Sequence, residues 1–236
     1  MINVLISIVV LIVILLIVNY WAGKKFHPCS DCDSNIIYKV TNITTPPNII
    51  LEELEDSIRQ KGSVLNPKYN FGNSMGKKAN YKQIPQSIKD FYENMHIDKI
   101  CSNVVGKKLS LANDSEEYRI FARLYEDEDD FLDWHYDNNF TIAQRYTLVV
   151  PVLVDECNTA EFEIKDRKTQ VEKIIEINLG EGVIYNGSEV YHKITKQTQG
   201  CKRMVVIFPM YENYNMTLFG KMRKFMRSVV YQNLKL

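Results

Sequence analysis

Two histidines and an aspartate carry the chemistry that this sequence offers. In Asp133-Trp134-His135-Tyr136-Asp137 an imidazole and a carboxylate stand two residues apart. A second imidazole, His192, follows in Glu189-Val190-Tyr191-His192-Lys193-Ile194. Two histidines and one carboxylate, with the other coordination positions open, form the facial ligand set that suits non-haem Fe(II) in oxygen-activating enzymes. An isolated His-x-Asp also arises by chance, and a lone histidine beside a strand is commonly a hydrogen-bonded structural residue. The features around the pair therefore decide its meaning.

Positioning is the first of these features. Residues i and i+2 of a strand project from one face, so a strand through 133–137 presents His135 and Asp137 together and turns Trp134 and Tyr136 away. Downstream, Arg145-Tyr146-Thr147 opens a run to Val154. Then come Cys157 to Phe162, Leu179-Gly180 to Tyr185, His192, and Gly200-Cys201-Lys202-Arg203 leading to Phe208. Each contains a short β-branched or aromatic run bounded by a turn signal, as strands are. No Gly-x-Ser-x-Gly, phosphate-cradling glycine loop or His-Glu-x-x-His occurs, and Gly180-x-Gly182 signals only a turn.

This order, over residues 118–208, resembles the core of the 2-oxoglutarate- and Fe(II)-dependent oxygenases of the prolyl 4-hydroxylase-like superfamily. The resemblance implies a mostly β domain with flanking helices, built on a double-stranded β-helix (jelly roll). It implies His135, Asp137 and His192 as iron ligands, and a basic residue after the distal histidine that grips the far carboxylate of 2-oxoglutarate. That residue matches Lys202, with Arg203 the alternative, because adjacent strand residues face opposite ways and a one-residue shift exchanges them. Tyr125 is the nearest match to a cosubstrate-contacting tyrosine of the family, and a packed strand aromatic is its other reading. The implied cofactors are Fe(II), 2-oxoglutarate and O2, with ascorbate as reductant. The implied reaction hydroxylates a C–H bond of a peptidyl (prolyl included) or small-molecule substrate and releases succinate and CO2. A catalytically inactive jelly-roll binding module, and a cupin-like metalloprotein that does not use 2-oxoglutarate, are the competing readings.

Two departures stand out. Cys157-Asn158 replaces the family's Gly-Gly turn, a place where asparagine can adopt positive φ. The run Glu126-Asp127-Glu128-Asp129-Asp130 replaces small residues; it is either a solvated loop or, at the site entrance, an attractant for a basic substrate.

At the N-terminus, Ile2 to Ala22 contains no charged residue, matching the ~20 apolar residues that a single-pass transmembrane helix needs. Tyr20, Trp21, Lys24 and Lys25 suit its interface. The lysines favour a cytoplasmic domain, whereas family resemblance and sequons at Asn42, Asn113, Asn139, Asn186 and Asn215 favour the endoplasmic reticulum lumen. The five cysteines are an odd number, which argues against a disulfide framework and leaves Cys29 and Cys32 as a redox or metal-binding pair.

Lys and Arg together equal Asp and Glu at 29 each, which gives no reason to expect a nucleic-acid partner. The expected organisation is an anchor over 1–22, a linker over 23–47 and one oxygenase domain over 48–236. Apolar spacing predicts helices over 48–62 (Leu51, Leu54, Ile58) and 84–104 (Ile88, Phe91, Ile100). A basic amphipathic helix is expected over 216–236, packed on the domain or resting on a membrane surface.

Overall fold

Runs of β-branched and aromatic residues, buried along most of their length in the central strands, build two antiparallel sheets. The computed structural model describes residues 37–65, 76–112, 119–128, 130–137, 141–165, 169–218 and 220–221. Three helices occur among them: α1 (Asn48–Lys61), α2 (Gln86–Asn94) and α3 (Ile97–Val105). The strands are β1 (Ile37–Val40), β2 (Ser63–Leu65), β3 (Gly76–Ala79), β4 (Ser110–Leu111), β5 (Phe121–Tyr125), β6 (Leu132–His135), β7 (Arg145–Val154), β8 (Phe162–Lys165), β9 (Glu172–Ile175), β10 (Gly182–Tyr185), β11 (Tyr191–Ile194) and β12 (Arg203–Tyr211).

The larger sheet runs β1-β10-β7-β12-β5-β3-β2, with β4 on β12, and the smaller runs β6-β11-β8-β9. From β5 onward the chain passes repeatedly between the two sheets, as in a jelly roll. One face of the larger sheet packs on the helices through Leu54, Ile58, Ile88, Ile97, Leu124, Met204, Val206 and Phe208. The other face meets the smaller sheet through Phe121, Tyr125, Val149, Phe162, Ile164, Val183, Tyr185, Val205 and Ile207. Alternate residues of β12 thus serve two cores, as the two-residue period of a strand requires.

Several sequence expectations change. Residues 37–40, assigned to the linker, are β1, which pairs with β10; Ile43 is also buried and bonds Gly180 through its backbone N–H. The single helix expected over 84–104 is two helices, broken where His96 adopts left-handed backbone at φ 52° and N-caps α3. Asn158 takes no positive φ. Instead Cys157 forms a disulfide with Cys201, Cα to Cα 5.7 Å, tying the turn after β7 to the one before β12. A covalent tie thus stands where the family has its glycine turn, and the odd cysteine count concealed it. Cys101 is free and buried. The apolar 1–22 segment, Cys29 and Cys32, and most of the 216–236 segment lie outside the described residues. Among the described residues no helix is long and apolar enough to cross a membrane.

Removing a disulfide of this kind costs about 2–4 kcal/mol. Cys157→Ser should lower the unfolding free energy by that amount in denaturant titration, and reductant should bring wild type down to the variant but leave the variant unchanged.

Candidate metal centre

The site is assembled by the pairing of β6 with β11, which sets His135 directly opposite His192. The rings lie 4.1 Å apart between centroids. Trp134 and Tyr136 turn to the outer face, where both meet Tyr191, Trp134 in a stacked arrangement at 5.2 Å. The strand ends at His135, however, so Asp137 lies just beyond it rather than within it as the i, i+2 reading assumed. Asp137 is placed instead by the β10–β11 turn: its backbone N–H donates to the Gly187 carbonyl at 2.7 Å. His135 Nε2 and Asp137 Oδ1 are 3.9 Å apart, and potential ligand atoms of His135, Asp137 and His192 all lie within 4.8 Å of one another.

Each ligand is oriented by a second contact. His135 Nδ1 is 2.8 Å from the Asp133 carbonyl and His192 Nδ1 is 2.9 Å from the Val190 carbonyl. A carbonyl only accepts, so both Nδ1 atoms carry the proton and both Nε2 lone pairs face the site. Thr147 Oγ1 donates to Asp137 Oδ2 at 2.5 Å, and Arg145 Nη2 lies 3.8 Å from the same oxygen, leaving Oδ1 for a metal. His192 is boxed by Tyr185 and Phe162 at 4.9 and 5.8 Å.

Electrostatics favour the ligating forms. Burial, helped by His192, pushes His135 down to about 3, and burial lowers His192 too. Burial alone would raise Asp137, but Arg145 and the two histidines hold it below the usual carboxylate range. At neutral pH the site therefore presents two neutral imidazoles and one carboxylate, the protonation states that metal binding needs. The donor set and spacing fit a divalent iron with open positions.

The basic residue is placed by strand alternation. Lys202 precedes β12 and points away from the inner face, where its Nζ bonds Glu55 Oε1 of α1 at 2.9 Å. Arg203 is buried, pairs with Tyr125 across β5 and β12, and donates from Nη1 to the Ala160 carbonyl at 2.6 Å. Its Nε is buried without a hydrogen-bond partner. Tyr125 is buried in the inner cluster. Of the acidic run, Glu126 pairs with Lys77 at 2.5 Å and with Arg59, Asp130 Oδ2 accepts the backbone N–H groups of Glu126 and Asp127, and the Asp127 and Glu128 side chains are exposed. The supporting roles of Thr147, Arg145 and Gly187 were missed from sequence. A Gly inside an Asn-x-Ser sequon gives no sign that its carbonyl and bare Cα seat the carboxylate of a residue far earlier in the chain.

No protein-family model matches the sequence, and no curated protein matches it. Solved structures share the fold. A Pseudomonas putida prolyl-4-hydroxylase aligns over 75% of this chain and 92% of its own, at 11% identity and TM-score 0.51. The epimerase SnoN from nogalamycin biosynthesis, in complex with Fe3+, α-ketoglutarate and nogalamycin RO, aligns over 74% and 78% at 11% identity and TM-score 0.52. The α-ketoglutarate-dependent carbocyclase SnoK aligns over 80% and 85% at 9% identity and TM-score 0.55. The chain thus has the fold of non-haem 2-oxoglutarate/Fe(II) oxygenases, and its histidine–aspartate–histidine group lies within that fold.

A methyl group on Gly187 would overlap Asp137 Oδ2 and crowd Thr147 Oγ1. Gly187→Ala should therefore weaken Fe(II) binding by about 10–100-fold, as loss of ligand support does, measured by equilibrium titration. Stability should also fall with acid. The unfolded chain protonates histidine near 6.5, whereas folded His135 does so only near 3. Unfolding is thus favoured as pH drops from about 6.5 towards 3, by up to about 1.4 kcal/mol per pH unit, and full stability is kept above that window. His135→Asn should flatten this slope in denaturant titrations at pH 7.5 and 4.5; equal slopes would contradict the assignment.

Proposed function

We propose that this chain is an Fe(II)- and 2-oxoglutarate-dependent dioxygenase that hydroxylates a C–H bond and releases succinate and CO2. The observation that carries the reading is the convergence of ligand atoms from two imidazoles and one carboxylate, all within 4.8 Å, in a fold shared with such enzymes. Iron, with 2-oxoglutarate and O2, would supply the oxidative chemistry.

The protein's own part is positional. His135, Asp137 and His192 would hold the metal. The Asp133 and Val190 carbonyls fix both imidazole tautomers, and Thr147 with Gly187 aims Asp137. We place the far carboxylate of 2-oxoglutarate on Arg203 rather than Lys202. The guanidinium is on the inner face with an unused Nε, whereas the Lys202 ammonium is engaged with Glu55. A guanidinium also suits a carboxylate through charge-assisted, two-pronged bonding. Tyr125, opposite Arg203, would line the same end. Phe162, Ile164, Val183, Val205 and Ile207 form the apolar wall that keeps water from the reacting atoms. The uncharged Ile2–Ala22 segment supports a membrane anchor for the enzyme.

The full chain, purified in mild detergent with Fe(II) and ascorbate, should release succinate from 2-oxoglutarate, and Asp137→Ala should abolish release. No metal-dependent succinate together with no 2-oxoglutarate binding would reject the reading. Arg203→Ala should raise the KM for 2-oxoglutarate by about tenfold or more, and Lys202→Ala should leave it close to wild type. The opposite result would return the carboxylate to Lys202.

A further inference from the structure

Arg123 is a charge that these roles leave unused. It lies on β5 between Phe121 and Tyr125, both members of the inner cluster, and pairs with Val205 of β12, another member. Strand alternation therefore sends its side chain to the same face. Its Nε and Nη1 are buried without a hydrogen-bond partner, and among the described residues no carboxylate pairs with it. That face belongs to the same cluster as Tyr185 and Phe162, the two rings that box His192. Arg203, by contrast, stands opposite Tyr125 in the β5–β12 register. The two arginines thus face the same cluster two register positions apart: Arg203 at the start of β12, the place assigned to the cosubstrate, and Arg123 opposite Val205, further along the sheet.

Arg145, the third arginine near the site, has the Asp137 carboxylate for a neighbour. Arg123 has none among the described residues, and a half-buried guanidinium whose Nε and Nη1 are shielded without hydrogen bonds or a counter-charge is unfavourable unless something supplies them. We infer that Arg123 receives an anionic group, a carboxylate or a phosphate, carried by the substrate close to the C–H bond to be attacked. The inference rests on the oxygenase reading above and narrows its substrate to an acidic class, in preference to a neutral prolyl side chain. An anion held there forms charge-assisted hydrogen bonds and fixes which carbon lies next to the metal.

The test uses the full chain with Mn(II) in place of Fe(II) and with saturating 2-oxoglutarate, so that the cosubstrate end is filled and no turnover occurs. Calorimetric titration with benzoate and with benzamide compares one shape with and without charge. Wild type should bind benzoate about tenfold more tightly. Arg123→Gln should equalise the pair, and Arg123→Lys, which keeps the charge, should retain part of the preference and so separates loss of charge from loss of fold. Equal binding of the two compounds by wild type, or a preference that survives in Arg123→Gln, would overturn the inference. So would a loss of 2-oxoglutarate affinity in Arg123→Gln as large as that in Arg203→Gln, which would make Arg123 a cosubstrate residue. Wild-type protein that binds no 2-oxoglutarate at all would instead remove the oxygenase reading, and this inference with it.

Discussion

The cross-strand pairing of His135 with His192 is the constraint from which the site follows. These residues come from strands β6 and β11, distant in sequence, and only their antiparallel register brings the rings to 4.1 Å. The side-chain period of a strand is two, so a slip of one residue would turn one imidazole to the outer surface and bring Trp134 or Tyr191 inward. The outer aromatic stack of Trp134, Tyr136 and Tyr191 helps to hold that register, because cross-strand aromatic pairs stabilise one alignment over its neighbours. Asp137 then completes the set from just past the strand, through backbone and side-chain bonds to the β10–β11 turn and to β7.

The second sheet covers the inner side of this pairing. Residues of β5, β7, β10 and β12 pack over β6 and β11 with an apolar wall, and burial keeps both imidazoles neutral. Neutrality of the histidines and ionisation of Asp137 have opposite electrostatic demands. Arg145 reconciles them by lying against the carboxylate oxygen that is turned away from His135. The helices contribute from the far side of the larger sheet, where Leu54, Ile58 and Ile88 give β5 and β12 a rigid backing.

Much of this was legible in the sequence, and the reasons differ by residue. The three candidate ligands stood out because histidine is scarce in this chain and because strand alternation explains a His-x-Asp pair, even though Asp137 lies past the strand end. Helix α1 followed from its apolar spacing. The choice between Lys202 and Arg203 was not legible: it depends on where β12 starts, and the bulge between Met204 and Val205 in its pairing with β7 shows how locally that register is set. The Cys157–Cys201 bond was hidden because an odd cysteine count cannot say which two meet. The break at His96 was hidden because a left-handed histidine in an apolar helical pattern leaves no compositional mark. Gly187 and Thr147 act through a contact between the β10–β11 turn and β7 that only the folded chain creates.

Equilibrium binding of Fe(II) to the full chain under anaerobic conditions tests the central claim most directly. The account requires one high-affinity ion per chain, lost in His135→Ala, in Asp137→Ala and in His192→Ala but kept in Arg203→Ala. Wild-type protein that binds no iron, or iron bound equally well without these side chains, would contradict it.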